Sequence, residues 1–223
     1  MTDPAHPGGR RTDPARSPRR PRRVGVLGGT FDPPHLGHLV VAQDVAEALD
    51  LDEVRFVVAA RPPLKPDRQP APGEVRAAMV EAAVAGNPRF RLSRIELDRG
   101  GASYTVDTVR ALREAEPGVE WFVVIGADQL AQLTEWREPE ALGRLARLVV
   151  VSRRGHTPGP SGAGGSSVPW RSVEVTRIDV SSTEVRGRVA AGRSVRYLVP
   201  ETVRRIIEER GLYREARAVV PGR

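Results

Sequence analysis

Four valine-bearing runs, VGVL (24–27), EVRFVVAA (53–60), VEWFVVIGA (119–127) and RLVVVSR (147–153), are separated by segments whose apolar residues recur at helical spacing. No other feature constrains the fold as strongly. Short apolar runs of the last two kinds suit strands buried on both faces, and strands buried in this way are parallel ones joined by helical crossovers. HLVVAQDVAEALDL (38–51) places apolar residues at 39, 41, 42, 45, 46 and 49, a helical stripe. EVRAAMVEAAVAG (74–86) predicts a helix ended by glycine, and YTVDTVRALREAEP (104–117) one stopped by Pro117. RFRLSRIEL (89–97) alternates with period two and predicts a strand, as does VEVTRIDVS (173–181). Residues 128–146 read as helical with a break near Pro139. SSTEVRGRVAAG (181–192) opens with helix-capping residues, and PETVRRIIEERG (200–211) is a helix with proline at its start and glycine at its end.

The fold class this order predicts is α/β, a doubly wound, Rossmann-like parallel sheet with a small C-terminal helical portion. The 223 residues suit one domain with appendages. No run approaches the roughly 20 apolar residues of a membrane span, and the N-terminus lacks the apolar stretch of a secretory signal. There is no cysteine, so neither a disulfide framework nor a thiolate metal site is available. A cytoplasmic location with no membrane partner is the expectation.

The net charge of +7 raises a nucleic-acid reading. Its location weakens that reading. Residues 1–23 hold seven arginines against two aspartates, leaving +2 for residues 24–223. With five prolines and no apolar periodicity, 1–23 is expected to be a disordered Arg/Pro-rich tail. The expected domain is 24–213, with a frayed C-terminus at 214–223 and a flexible Gly-rich loop at 155–169. The chain has 34 arginines and one lysine, Lys65, in the proline-rich loop RPPLKPDRQPAPG (61–73). An ammonium on a flexible stem differs in use from a guanidinium, which marks that position.

Chemistry concentrates in GGTFDPPHLGH (28–38), straight after the first strand. Glycines there let backbone approach a ligand, and the following helix offers free N–H groups and a positive dipole end to phosphate. His35 and His38 share a helical face if they lie in its first turn, and Pro33 and Pro34 stiffen the turn that aims them. The stretch is not GxGxxG, nor a P-loop, since no Gly-Lys-Ser/Thr follows. A metal at HxxH lacks an obvious third ligand nearby.

GGTFDPPHLGH resembles the signature of the nucleotidyltransferase superfamily with (H/T)xGH motifs, and its fuller form that of the nicotinate-nucleotide adenylyltransferases. RPPLKP (61–66), SYTVDT (103–108), GADQL (126–130) followed by Trp136, SSTEVR (181–186) and YLVPETV…GLY (197–213) are similar to that family's further segments, in unbroken order. The departure is Leu64, where the family often has histidine.

The resemblance implies a doubly wound sheet of the HxGH nucleotidyltransferase type and adenylyl transfer from ATP to nicotinic acid mononucleotide, giving deamido-NAD and pyrophosphate in NAD biosynthesis. It implies His35, His38 and Arg186 as catalytic residues. Gly28, Gly29, Thr30, Phe31, Gly126, Asp128, Ser181, Ser182 and Thr183 would bind ATP and its phosphates. Lys65, Tyr104, Thr105 and Trp136 would bind the mononucleotide. Mg²⁺ would ride on the ATP phosphates, with no protein metal site. Asp32 is either a direct participant or a cap of the turn; Asp128 either takes a ribose hydroxyl pair or caps a helix; Trp136 either stacks on the pyridine ring or is core. Nicotinamide mononucleotide or phosphopantetheine are the alternative acceptors within the class. No nucleic-acid partner is expected, and the sequence leaves a homo-oligomer open.

Overall fold

The computed structural model describes residues 20–61, 69–153 and 168–214. Six strands, β1 (Arg23–Gly29), β2 (Glu53–Val58), β3 (Phe90–Ser93), β4 (Glu120–Gly126), β5 (Arg147–Arg153) and β6 (Trp170–Val175), form one sheet in the order β3-β2-β1-β4-β5-β6. Every pairing is parallel. Helices α1 (Leu36–Ala48), α2 (Gly73–Val84), α3 (Ile95–Arg99), α4 (Thr105–Ala115), α5 (Ala127–Ala131), α6 (Pro139–Leu145), α7 (Ser182–Ala190) and α8 (Glu201–Glu209) cover it. This is the expected doubly wound α/β class.

Strand residues alternate between two apolar layers because successive side chains point to opposite faces. Val54, Phe56, Val58, Phe122 and Val124 join Val45, Ala46 and Leu49 of α1 on one face. Val24, Val26, Val57, Trp121, Val123 and Ile125 join Val106, Val109 and Leu112 of α4 on the other. Each such side chain contributes roughly 1.5–3 kcal/mol when fully buried. A third cluster, Val75 and Met79 of α2 with Val185, Val195, Val199, Val203 and Ile207, docks the C-terminal helical portion onto α2.

The register places the crevice. β1 pairs with β4 up to Leu27 opposite Val124, whereas Gly28 and Gly29 continue in register only with Val57 and Val58 of β2. Ile125 and Gly126 continue only with β5. The strands β1 and β4 therefore part at their carboxyl ends, where the order of the sheet reverses, and ligands of such sheets bind at that switch point.

Four segmental expectations are corrected. The run 89–97 is not one strand: β3 stops at Ser93 and α3 begins at Ile95. Glu96 turns inward there, accepting a hydrogen bond from the Thr108 hydroxyl at 2.6 Å, a tertiary contact that overrides the local period. The strand placed at 173–181 lies at Trp170–Val175. Beyond it Thr176 N–H donates to Asp44 on α1, which leads the chain off the sheet. Residues 128–146 break twice, into α5, a 3₁₀ turn at Leu133–Glu135, and α6, with Glu138 left-handed (φ 50°) before Pro139.

Residues 20–23, counted with the tail, belong instead to the domain. Arg23 opens β1, Arg20 pairs with Asp50 and Asp52, and Arg22 pairs with Glu53 and Glu116. The rest of the tail (1–19), Leu64 and Lys65, the loop at 155–167 and the C-terminus from 215 lie outside the described residues. No described helix is long and apolar enough to cross a membrane.

Candidate active site

The turn between β1 and α1 is built around Phe31 and Asp32. Phe31 adopts a left-handed φ of 50°, unusual for a bulky residue. Its ring is buried against Phe56 at 5.8 Å and meets the His38 imidazole edge-on at 5.0 Å. A Cβ on Gly29 would lie 3.0 Å from that ring, so Gly29 makes room for Phe31. Gly28 and Gly126, on either side of the crevice, would direct a Cβ into open space. Of the two glycines expected to let backbone approach a ligand, Gly28 has open space where its Cβ would lie, and Gly29 has the Phe31 ring there.

Asp32 is 2% exposed. Its Oδ1 accepts hydrogen bonds from the Tyr213 hydroxyl at 2.7 Å and from Ala71 N–H at 3.2 Å. These bonds run to residues distant in sequence, so the Asp32 carboxylate braces the turn against Ala71 and Tyr213 and is not seen capping it. Arg76, also 2% exposed, donates to the carbonyls of Thr30, Ala59 and Ala71 at 2.8–2.9 Å and so clamps the ends of β1 and β2 to the start of α2. Burial lowers its pKa from the ordinary guanidinium value, against the attraction of Asp32.

His35 is the N-cap residue of α1, with extended backbone, and His38 lies in the first turn. Their rings stack with centroids 3.7 Å apart. The His35 N–H donates to His38 Nδ1 at 3.2 Å. A neutral His38 ring therefore carries its proton on Nε2. His35 Nδ1 is buried without a hydrogen-bond partner, and a Cβ on Gly37 would approach it to 3.1 Å. Burial pushes the His35 pKa down to about 4. Burial, and then the neighbouring His35, push His38 down to about 3. Both rings are neutral at pH 7 in the ligand-free site, and an anion beside them would raise both values.

Helix α7 meets this turn. Ser181 caps it, its hydroxyl accepting from Glu184 N–H at 3.1 Å. The Ser182 hydroxyl donates to the Pro33 carbonyl at 2.8 Å; Arg186 donates to the Asp32 carbonyl at 2.7 Å and to the Thr183 hydroxyl at 2.9 Å. Two helix N-termini, those of α1 and α7, thus converge on one turn; in α1 the Leu36 N–H is taken by the Leu198 carbonyl and the His38 N–H by the His35 carbonyl, and in α7 the Glu184 N–H by the Ser181 hydroxyl.

On the other side of the crevice, Asp128 is exposed in the first turn of α5, whose N-cap is Gly126, so the capping alternative for Asp128 does not hold. Tyr104 is the N-cap of α4 and Thr105 its first residue. Ser103 stitches them to the end of β2, its hydroxyl accepting from Ala60 N–H (2.9 Å) and Arg61 N–H (3.3 Å). The Arg137 guanidinium lies 5.0 Å over the Tyr104 ring. Trp136 is half-buried against the second apolar layer, so it is partly core and partly open.

Sequence reasoning missed Gly37, Arg76, Ser103 and Tyr213. Gly37 and Ser103 sit inside quoted motifs and could have been found there. A buried arginine on an apolar helix face carries no local sign of its three carbonyl partners.

The switch-point crevice, with its paired imidazoles and the two helix N-termini beside them, agrees with the class to which the comparisons assign the chain, the nucleotidyltransferases. The cytidylyltransferase-like family model matches residues 26–188. A "Probable nicotinate-nucleotide adenylyltransferase" of Rubrobacter xylanophilus is 46% identical, covering 86% of this chain and 92% of the relative. One of the same description from Thermus thermophilus is 48% identical over 86% of this chain and the whole of the relative. In fold, the chain is similar to a Plasmodium falciparum nicotinic acid mononucleotide adenylyltransferase solved in complex with NaAD (TM-score 0.72, 16% identity, 86% of this chain and 97% of that one). Within that class, the chain belongs to the nicotinate-nucleotide adenylyltransferase family.

Proposed function

We propose that the crevice transfers the adenylyl group of ATP to the 5′-phosphate of nicotinic acid mononucleotide. A phosphate oxygen attacks the α-phosphorus, the bond to the bridging oxygen breaks, and pyrophosphate leaves with the electron pair. The nucleophile is already an anion, so no general base is needed; the task is to seat two anions and to stabilise the charge that moves onto the leaving pyrophosphate. The stacked His35–His38 pair, with its tautomer set by the His35 N–H, is the observation that carries this reading. His38 Nε2–H is a donor for that charge, and the α7 N-terminus, with Ser182, Thr183 and Arg186, would seat the outer phosphates. Gly28, Thr30, Gly126 and Asp128 would line the nucleotide.

The pyridine side would fall to Trp136, Tyr104 and Thr105. The N-terminus of α4 favours an anion, which nicotinate supplies and nicotinamide does not. Lys65 is assigned to the mononucleotide phosphate. Mg²⁺ supplies charge neutralisation on the triphosphate. It would sit on ATP oxygens and water, since this hard cation wants oxygen ligands and the described residues hold no cluster of three potential metal-ligating side chains.

The test is product formation by the purified protein with Mg-ATP and, separately, nicotinic acid mononucleotide, nicotinamide mononucleotide and phosphopantetheine. The reading expects deamido-NAD and pyrophosphate from the acid mononucleotide. Equal rates with both mononucleotides contradict the helix-terminus argument, and silence with all three contradicts the reaction.

A further inference from the structure

Resting on that reading, we infer that Tyr213 is a positioning residue, whose hydroxyl holds the histidine turn in register through Asp32. Tyr213 lies 181 residues from its partner, in the turn after α8. That turn is built to deliver it. Gly211 is left-handed (φ 59°), and Leu212 N–H closes back on the Ile207 carbonyl at 2.9 Å. Tyr213 itself is left-handed (φ 60°), a conformation that costs a non-glycine residue about 1 kcal/mol or more and persists where the surroundings fix it. The fixing contacts are the packing of Leu212 and Tyr213 on the third apolar cluster and the 2.7 Å hydrogen bond to Asp32.

The bond bears on chemistry through the two residues after Asp32. Pro33 and Pro34 join Asp32 to His35, and fixed φ angles at both leave little slack between them. A displacement of the Asp32 side chain therefore reaches His35 and, through its N–H, the His38 ring. A shift on the order of 1 Å in a catalytic group can cost about a hundredfold in rate. The Arg186 and Ser182 bonds hold the backbone of the turn. Tyr213 and Ala71 both donate to Oδ1 of the carboxylate, which the Arg76 guanidinium also attracts, so the Tyr213 hydroxyl contributes to its position.

The experiment is a double-mutant cycle in single turnover with Mg-ATP and nicotinic acid mononucleotide, using Tyr213→Phe, His38→Ala and both together. Tyr213→Phe keeps the ring packing and removes the hydroxyl. Turnover by the parent tests the proposed reaction by itself. The inference expects Tyr213→Phe to lower the rate about tenfold with the half-saturating concentrations of both substrates within about twofold, and to lower it less than twofold further when His38 is already alanine. A fall of less than about threefold, or an undiminished fall in the His38→Ala background, overturns it. The imidazole ¹⁵N resonances of His35 and His38 read the same coupling without turnover. They are expected to move in Tyr213→Phe, and unchanged resonances overturn the inference even if the substrate is another.

Discussion

The two sides of the crevice are held in different ways. The histidine turn is fixed by buried and partly buried bonds: Asp32 to Tyr213 and Ala71, Arg76 to three carbonyls, Ser182 and Arg186 to the turn's own carbonyls. The side carrying Tyr104 and Trp136 adds to its packing and to the Ser103 and Thr108 bonds a set of half-exposed ion pairs, Arg110 and Arg137 with Asp107 and Glu138. Exposed pairs contribute about 0–1 kcal/mol each and weaken with salt; a buried group left without its partner costs about 1–3 kcal/mol. On the proposed reading, the more rigid contacts lie where charge would have to be met at a set distance, and the proposed recognition side is the more adjustable. Preorganisation lowers a barrier only where the geometry cannot relax during the reaction.

If that contrast is right, substitutions on the two sides will fail differently. The largest effect is expected from His38→Ala, a fall of about 10²–10³ in kcat, the size seen when one transition-state donor is removed. Steady-state kinetics at saturating substrates check it. Arg76→Met comes next. Three carbonyls lose their donor at once, and a loss of about 3 kcal/mol or more is expected in urea unfolding. A loss under about 1 kcal/mol would show that the clamp on β1 and β2 is slack.

The histidine side should also announce itself in the pH dependence of stability. Below about 6.5 the unfolded chain takes up protons that the folded, neutral imidazoles refuse until about 4 and about 3. Folded pKa values lie below unfolded ones, so this contribution is present in full above about 6.5 and is lost as pH falls towards 4. For His35, 7% exposed, it amounts to at most about 3 kcal/mol. Thermal unfolding of the ligand-free protein across that window should steepen, and His35→Gln should flatten it. On the adjustable side, Trp136→Ala is expected to raise KM for the mononucleotide about tenfold with kcat within about twofold, consistent with roughly 1 kcal/mol of ring stacking.

Much of this arrangement was legible in the chain. Valine-rich runs separated by helical stripes specified the parallel sheet, because strands buried on both faces leave that trace. The HxGH turn, the SYT segment and SSTEVR were each placed at the right strand or helix end, and the structure brings the turn and SSTEVR together. What escaped reading depends on distant partners. Glu96 ends β3 early because Thr108 waits for it. Asp32 reads from sequence as a participant or a cap of the turn, and its bonds to Tyr213 and Ala71, 181 and 39 residues away, leave no local trace. Arg20, Arg22 and Arg23 looked like tail because the acids that hold them lie 30 or more residues away in sequence.

The central claim is that the histidine turn accelerates adenylyl transfer and does not merely bind substrate. It is tested most directly by the single-turnover rate of His38→Ala beside calorimetric titration of nicotinic acid mononucleotide into the same variant. The account predicts a rate down about a hundredfold or more with mononucleotide affinity within about threefold of the parent. An undiminished rate with the affinity lost would contradict it, and would make the turn a binding site whose chemistry lies elsewhere in the crevice.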